Sequence, residues 1–482
     1  MAYAASNSSL LSRAEASNSW ALRVVHRHGP CSPLQQSRGD GPPSHAEILA
    51  RDQERVNYIH RKIAGGDSSK SKGSMSSLPA RWGWGTSLGI NTYFVTVGLG
   101  TPARSLSVEF DTGSGMSWVQ CEPCADCYEQ QDPVFDPSQS STYAPLPCNS
   151  NECRQQFGSS SQHNCSSSGS SNNNNSCRYE VIYGDDSQTD GDLARDTLTL
   201  TDVTVVPGFV FGCGHRNTGV FGELDGLIGL DRYAASLPSQ AAPSLGGAGF
   251  SYCLPSTSSA VGYLSFGRRP APPANAQYTA MLTGKYRSFY YLDLVGVRIA
   301  GRPVRIPPAV FAAAGGTMID SGTAFTRLPP RAYAALRSAF ARAMGRYRYK
   351  RAPALPYLDT CYDLAGVTTV RVPSVALVFA GGATVTLDHS GVLYTWDNAS
   401  QVCLAFAPND DDTAAVVEEH KRGPHRSAPS CSKRTSPGGI AWQEEQRFTP
   451  AMGAPPVWGL DPAAVSKRRC TWRGQACKIQ RP

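Results

Sequence analysis

Long apolar runs are missing from this 482-residue sequence. No stretch approaches the ~18 consecutive apolar residues that a membrane-spanning helix requires. Residues 1–20 are rich in Ala, Ser and Asn, and they also have no apolar core of the length that a secretory signal peptide needs. We therefore expect a protein outside the membrane, with no signal peptide visible in this chain.

A surplus of basic residues is missing from most of the chain as well. The formal net charge is +7, but residues 413–482 hold 12 Lys and Arg against 5 Asp and Glu, so that residues 1–412 carry 33 of each kind. Binding of nucleic acid depends on a basic patch, which this balance offers only in the tail. We therefore do not expect nucleic acid as a partner, and a DNA-associated function stays only as an alternative.

The first 80 residues are basic, with 10 Lys and Arg against 6 Asp and Glu, whereas residues 81–412 have 23 against 27. A basic leader ahead of a mildly acidic body is typical of a propeptide that covers a carboxylate-lined cleft at neutral pH and is released in acid. Residues 46–63 have the apolar stripe of a helix, at Leu49, Val56, Ile59 and Ile63. The alternative is a solvated basic helix without that role.

Cysteine, in contrast, is abundant, with 15 in the chain. The Cys-x-x-Cys-x-x-Cys run at 121–127 leaves a zinc site open, but no His accompanies it at the spacing of a zinc finger. A disulfide-stapled insertion fits better, because residues 158–176 are nearly all Ser, Asn and Gly and hold no shape by burial. Cys361 and Cys403 suggest a second pair, and the full connectivity stays open. The crowded cysteines are Cys121, Cys124, Cys127, Cys148, Cys153, Cys165 and Cys177.

Two Asp-Ser/Thr-Gly motifs, at 111–114 and 320–323, each follow a strand-like apolar run. Such a turn exposes one carboxylate on a tight loop, where Gly allows close backbone approach and neighbouring hydroxyls hydrogen-bond the carboxylate. A single motif of this kind is also an ordinary turn. Two of them, 209 residues apart, instead predict a pair of facing carboxylates, Asp111 and Asp320.

Two further segments accompany the motifs. Tyr183-Gly184-Asp185 lies between β-rich runs, as the tip of a hairpin would, and Leu227-Ile228-Gly229 is a short apolar run that ends in Gly. At these residues the chain resembles the pepsin-like aspartic proteases, and in particular their plant nepenthesin-like branch with its extra cysteines.

The resemblance covers roughly residues 20 to 412 and implies a role for each matching residue. Asp111 and Asp320 would be the catalytic pair, with no metal and no cofactor. Tyr183 and Gly184 would belong to a mobile flap that binds substrate, and Trp118 would support Tyr183. Support of the two catalytic loops would come from Thr112, Gly113, Ser114, Ser321, Gly322 and Thr323.

The resemblance also implies a mostly β, bilobal pepsin-like fold, with the active-site cleft between two β-rich lobes. Residues 1–80 would be a propeptide-like leader and linker. Residues 81–275 would form the first lobe, with the first Asp loop, a Cys-rich insertion and the flap. Residues 276–412 would form an incomplete second lobe with the second Asp loop. Residues 413–482 would be an atypical basic tail.

The tail departs from the family pattern. After Cys403 the family continues into a second apolar-apolar-Gly segment beneath the second Asp loop, whereas here a Pro-, Arg- and Ser-rich sequence follows. Only Val457-Trp458-Gly459 offers a substitute. We therefore expect residues 413–482 to be disordered, and the second Asp loop to lack support.

These observations predict a monomeric aspartic endopeptidase that hydrolyses proteins or peptides in acid and is made as a zymogen. A catalytically impaired relative that binds or inhibits other proteins is the alternative. Disulfides and the sequons at Asn164 and Asn398 favour a glycoprotein of the secretory pathway, extracellular or vacuolar, with the chloroplast as the alternative location.

Overall fold

A computed structural model describes residues 21–27, 31–32, 34, 44–64, 93–153, 176–254, 261–267, 277–283, 286–312, 315–367, 369–396, 400–418, 441–444, 456–461, 469–473 and 476–479. The sequons at Asn164 and Asn398 and most of the Ser- and Asn-rich insertion lie outside these residues.

The leader and first lobe contain the elements β1 (Leu22–His26), α1 (His45–Ile63), β2 (Tyr93–Leu99), β3 (Arg104–Asp111), β4 (Trp118–Gln120), β5 (Ala144–Pro145), β6 (Arg178–Ile182), β7 (Gln188–Thr201), β8 (Thr204–Thr218), β9 (Gly226–Gly229), α2 (Leu237–Leu245), β10 (Phe250–Cys253) and β11 (Val261–Phe266). Short 3-10 turns lie at Pro137–Gln139, Gly345–Tyr347 and Ala380–Gly382.

The second half contains the elements β12 (Gln277–Leu282), β13 (Tyr290–Leu292), β14 (Leu294–Ile299), β15 (Arg302–Pro303), α3 (Ala309–Ala312), β16 (Thr317–Asp320), β17 (Thr326–Leu328), α4 (Pro330–Met344), β18 (Lys350–Arg351), β19 (Cys361–Asp363), β20 (Thr369–Val372), β21 (Val375–Phe379), β22 (Thr384–Leu387), α5 (His389–Val392), β23 (Leu393–Trp396), β24 (Gln401–Leu404), β25 (Phe406–Pro408), β26 (Val416–Glu418), β27 (Ala441–Glu444), β28 (Pro456–Asp461), β29 (Arg469–Arg473) and β30 (Ala476–Ile479).

Alternating apolar residues build the first lobe around its Asp loop. β2 pairs antiparallel with β3, and the inward residues Val95, Val97, Val108 and Phe110 are buried. β9 then runs parallel to β3, which places Ile228 opposite Phe110. The first Asp loop therefore leaves a strand that is held by a neighbour on each side.

The second lobe repeats this arrangement. β16 pairs antiparallel with β13, and the segment after its Asp loop forms β17, which runs parallel to β25. Helix α4 begins at Pro330, a residue that is favoured in the first helical turn. The mostly β architecture is thus confirmed.

The leader is folded onto both lobes. β1 pairs antiparallel with β2 and β11 and so extends the sheet of the first lobe. α1 begins with a capping box, in which Ser44 and Glu47 satisfy each other's backbone N–H groups. The predicted apolar stripe of α1 is buried, and Asp52 is buried on the same helix.

The prediction that nothing after Asp412 supports the second Asp loop is wrong. β26 runs parallel to β16, with Val417 opposite Ile319. The N–H of Met318 donates to the carbonyl of Ala415 at 2.8 Å, and residues 414–417 each expose 2% of their surface or less. The family pattern ends this segment with Gly, whereas here Glu418 follows Val416 and Val417. The strand forms without the glycine, because parallel pairing requires only backbone groups and buried side chains.

The substitute suggested by the sequence, Val457-Trp458-Gly459, lies elsewhere. It belongs to β28, which pairs with β29 and β30. β29 pairs with β12 and β30 with β10, while β27 pairs with β20. The rest of residues 419–482 lies outside the described residues, so disorder of the tail stays a prediction.

Disulfide bonds join Cys121 to Cys213, Cys124 to Cys127, Cys153 to Cys177 and Cys361 to Cys403. The suggested pair Cys361–Cys403 is therefore confirmed. All three cysteines of the 121–127 run are used in disulfides, so this run has no thiolate left for zinc.

Within the described ranges, no group of three or more His, Cys, Asp and Glu side chains is placed to hold a metal ion. The same part of the chain has no helix that is both long enough and apolar enough to span a membrane.

Candidate active site

Each Asp loop holds its carboxylate with a hydroxyl three residues further along. Ser114 Oγ donates to Asp111 Oδ2 at 2.5 Å, and the N–H of Gly113 donates to Asp111 Oδ1 at 2.9 Å. In the second loop Thr323 Oγ1 donates to Asp320 Oδ2. Asp111 is 2% exposed and Asp320 is fully buried. Both carboxylates are thus fixed in orientation.

Reciprocal hydrogen bonds link the two loops to each other. The N–H of Ser321 donates to Thr112 Oγ1 at 2.9 Å, and the N–H of Thr112 donates to Ser321 Oγ at 3.2 Å. The two residues are buried, so these bonds lie in a region of low dielectric. They hold the two lobes in register at the point where the carboxylates meet.

The predicted flap is the tip of the hairpin formed by β6 and β7. Tyr183 lies at this tip, and its hydroxyl accepts a 2.7 Å hydrogen bond from Trp118 Nε1. The rings of Tyr183 and Trp118 both pack edge-on against Phe221. Burial raises the pKa of Tyr183 well above its usual range, so the phenol stays neutral and able to donate a hydrogen bond.

A guanidinium group from the leader lies between the two carboxylates. Arg55 of α1 donates through Nη2 to Asp111 Oδ1 and to Asp320 Oδ1, both at 2.7 Å, and through Nε to Asp320 Oδ2 at 2.7 Å. One nitrogen bridges both residues, so the two carboxylate oxygens lie no farther apart than twice that distance. Burial lowers the pKa of Arg55, but Asp111 and Asp320 outweigh it and raise the pKa well above the ordinary value. Arg55 therefore stays charged.

The glycines of both loops make this contact possible. A Cβ added at Gly322 would lie 2.2 Å from Cζ of Arg55, and one at Gly113 would lie 2.8 Å from its Nη2. At the flap, a Cβ on Gly184 would lie 2.7 Å from Cβ of Tyr58. Helix α1 therefore fills the space between the flap and the two Asp loops.

A second buried ion pair attaches α1 to the second lobe. Asp52 Oδ2 accepts hydrogen bonds from the guanidinium of Arg327, and Asp52 Oδ1 accepts one from the N–H of Ala324 at 2.7 Å. Asp52 and Arg327 expose 0% and 1% of their surface. Both partners are charged and share several hydrogen bonds, which is the condition under which buried ions are tolerated.

The structure thus brings together every residue that the sequence predicted for this site. Sequence reasoning missed Arg55, Asp52 and Arg327, and it also missed Glu109, which lines the same cavity as Asp111, Tyr183 and Gly184. A signal for Glu109 was present: it precedes Asp111 by two residues in a strand, and residues at that spacing point to the same face.

Two family models match the chain, described as Xylanase inhibitor N-terminal over residues 93–268 and Xylanase inhibitor C-terminal over residues 289–421. An aspartyl protease family protein of Arabidopsis thaliana is 44% identical over a region that covers 86% of this chain and 85% of the relative's length. Aspartic proteinase nepenthesin-2 of Nepenthes gracilis is 35% identical over 66% of this chain and 70% of its own.

Solved structures with a similar fold include the protein edgp, at a TM-score of 0.55 and 22% identity, covering 68% of this chain and 86% of that chain. Basic 7S globulin from soybean has a TM-score of 0.54 at 22% identity, covering 68% and 87%. At this identity the likeness concerns the fold alone.

Proposed function

The chain belongs to the plant family of pepsin-like aspartyl proteases, and on that premise we propose that it is an aspartic endopeptidase with Asp111 and Asp320 as its catalytic pair. The observation that carries the proposal is the contact of one Arg55 nitrogen with an oxygen of each carboxylate at 2.7 Å. Two carboxylates this close share a proton once the arginine has left, because they resist ionising together.

The reaction needs only these two groups and a water molecule. The ionised carboxylate takes a proton from water as the water oxygen attacks the peptide carbonyl carbon, and the protonated partner donates to the carbonyl oxygen. When the tetrahedral intermediate collapses, the C–N bond breaks and the leaving nitrogen takes up a proton. The proton belongs to the pair, so neither residue is a fixed acid or base.

The hydrogen bonds around the pair support this role. Ser114 and Thr323 orient one carboxylate each, and the bonds between Thr112 and Ser321 hold the two loops at a constant separation. Tyr183, positioned by Trp118, would close over the substrate in the space that α1 fills. Rigid placement of reacting groups supplies a large part of enzymatic rate enhancement.

We assign to the leader the role of an inhibitory propeptide. Arg55 forms an ion pair with each carboxylate and takes the place of the attacking water, while the ion pair between Asp52 and Arg327 fixes the helix to the second lobe. The full chain would therefore be a zymogen, and its disulfides fit the oxidising secretory pathway.

Acid would release the leader in part through His60 of α1. Thr413 Oγ1 lies 3.0 Å from its ring, and burial lowers the pKa of His60, although Ala414, Asp410 and Asp411 oppose the effect and Arg327 adds to it. With respect to His60, the docked leader is most stable above pH ~6.5, where His60 is neutral both when docked and when free. This stability is lost as the pH falls through the lowered pKa of docked His60. Glu54 has the opposite effect on docking. Burial, Asp185 and Asp186 raise its pKa, so protonation of Glu54 in acid favours the docked leader.

The test of the proposed function is digestion of casein or haemoglobin from pH 3 to 7. We expect a maximum in acid, loss of activity with pepstatin, which mimics the tetrahedral intermediate, and no effect of chelators or thiol reagents. A neutral maximum that EDTA abolishes would contradict the aspartate mechanism.

Replacement of Arg55 by Ala should weaken the inhibition. Removing one partner of a buried, hydrogen-bonded charge pair costs about 2–5 kcal/mol, so the leader should leave at a higher pH. We expect Arg55→Ala protein to lose its leader and cleave casein near pH 6, where the wild type stays intact, as followed by mass spectrometry. Arg61→Ala, an exposed substitution on the same helix, is the matched control. An unchanged acid requirement in Arg55→Ala would show that Arg55 does not hold the leader.

The alternative is a catalytically silent protein that inhibits another hydrolase. The descriptions of the two matching family models, which name xylanase inhibitors, favour it. The presence of both aspartates and the flap tyrosine favours proteolysis. An absence of any peptide cleavage after removal of the leader, together with inhibition of a xylanase, would decide for the alternative.

A further inference from the structure

Glu109 lies in the cleft beside the Asp pair, where the proposed mechanism does not use it. It precedes Asp111 by two residues on β3, so both side chains leave the same face of the strand. Its neighbour on β9 is Leu227, just as Gly229 is the neighbour of Asp111. Glu109, Leu227 and Asp111 line one cavity beneath the flap.

Glu109 is buried, at 3% exposure, and Arg51 and Arg55 of the leader line the same cavity. Burial of a carboxylate is costly unless a positive charge or hydrogen bonds accompany it. Arg27, at the end of the strand that the leader adds to the first lobe, supplies a positive charge here. Burial lowers the pKa of Arg27, and the carboxylates of Glu109 and Glu223 oppose that effect.

The surroundings of Arg27 place its guanidinium in the first lobe near this cavity. Its Nη1 donates to the carbonyl of Phe221 at 3.5 Å, and a Cβ added at Gly222 would lie 1.7 Å from its Nη2. Phe221 is the residue against which Tyr183 and Trp118 pack. The leader thus brings a cation to the region bounded by Glu109 and the base of the flap.

The flap also has a buried carboxylate near an arginine of the leader. Asp185 follows Gly184 at the flap tip and lines the same cavity. Its Oδ2 is shielded from solvent and has no hydrogen-bond partner within the described part of the chain. Arg51 of α1 lines the same cavity and brings a positive charge to it. Burial lowers the pKa of Arg51, and Asp185 is among the acids that oppose this effect. A cationic group of a substrate would give this oxygen a partner.

We propose that Glu109 determines specificity, and that after the leader has left it binds an arginine or lysine side chain of the substrate next to the scissile bond. The proposal rests on the proposed function, since it concerns substrates of the same cleft. Arg51 and Arg55 of the leader line this cavity together with Glu109, so the leader presents its own arginines where a basic substrate would lie. Leu227 supplies apolar surface for the methylene groups of such a side chain.

Peptides that differ only in the charge of one side chain test the proposal. Two series carry either arginine or its neutral isostere citrulline at the position before or after the scissile bond, and both are assayed at pH 5.5. With leader-free protein we expect kcat/KM for the arginine peptide to exceed that for citrulline about ten- to hundredfold at one position, the range of a charge-assisted hydrogen bond. Glu109→Gln should bring the ratio to about one.

Glu152→Gln is the matched control, because Glu152 pairs with Arg195 on the exposed surface of the first lobe. It should keep the wild-type ratio. Equal cleavage of both peptides by the wild type, or an unchanged ratio in Glu109→Gln, would overturn the proposal while leaving the endopeptidase intact.

A binding measurement separates this proposal from the proposed function. The same peptides with a reduced, non-cleavable bond are titrated into leader-free protein by calorimetry. If no peptide is cleaved, the endopeptidase proposal fails, yet tighter binding of arginine than citrulline that Glu109→Gln abolishes would still support the role of Glu109. Equal affinities would refute it.

Discussion

Asp111→Asn and Asp320→Asn should each lower peptide hydrolysis roughly 10²- to 10⁴-fold, because that is the contribution of proton transfer by a positioned carboxylate and each change destroys the shared proton. Asparagine keeps the shape of the side chain. The hydrogen bonds from Ser114 and Thr323 to the remaining oxygen can persist, so the fold should be retained. The measurement is kcat/KM on a fluorogenic peptide, with thermal unfolding as the check on the fold.

The experiment needs the leader removed by an added protease, since an inactive variant cannot remove it by itself. Asp202→Asn, at an exposed turn after β7 in the first lobe, is the matched control and should keep full activity. Retention of more than a few per cent of wild-type kcat/KM by either Asn variant would exclude that aspartate from the catalytic pair.

Val416→Asp should have the largest effect on stability. Val416 is fully buried on β26, opposite Met318 and two residues ahead of the position paired with Asp320. Burial of an unpaired carboxylate costs several kcal/mol, a large part of the 5–15 kcal/mol that holds a typical domain together. We expect the second lobe to unfold at a much lower temperature in calorimetry, and hydrolysis to be lost with it.

Val203→Asp makes the same chemical change at a residue that is 72% exposed and should be nearly neutral. The comparison separates two descriptions of the chain after Asp412. If Val416→Asp were as harmless as Val203→Asp, residues 413–418 would not support the second Asp loop, and the original expectation of a loose tail from residue 413 would stand.

The sequence by itself determined the two Asp turns and the mostly β fold, whereas the flap tyrosine and its tryptophan partner, 65 residues apart, came from the resemblance to the family. The turns and strands depend on neighbours within a few residues: a turn needs its own Gly, a hydroxyl three residues away reaches the carboxylate, and strand period is read along the chain. The stripe of α1 was visible for the same reason, because helix faces repeat every three or four residues.

Only the tertiary structure decided which distant groups meet. Arg55 reaches Asp320 across 265 positions, and Cys121 pairs with Cys213 across 92. No local pattern distinguishes Arg55 from Arg51 or Arg61 on the same helix, because the choice depends on how α1 lies in the cleft. Val416 and Val417 form a strand without the expected glycine because β16 has backbone groups to pair with and an apolar surface to pack against. Both are present only once the second lobe has folded.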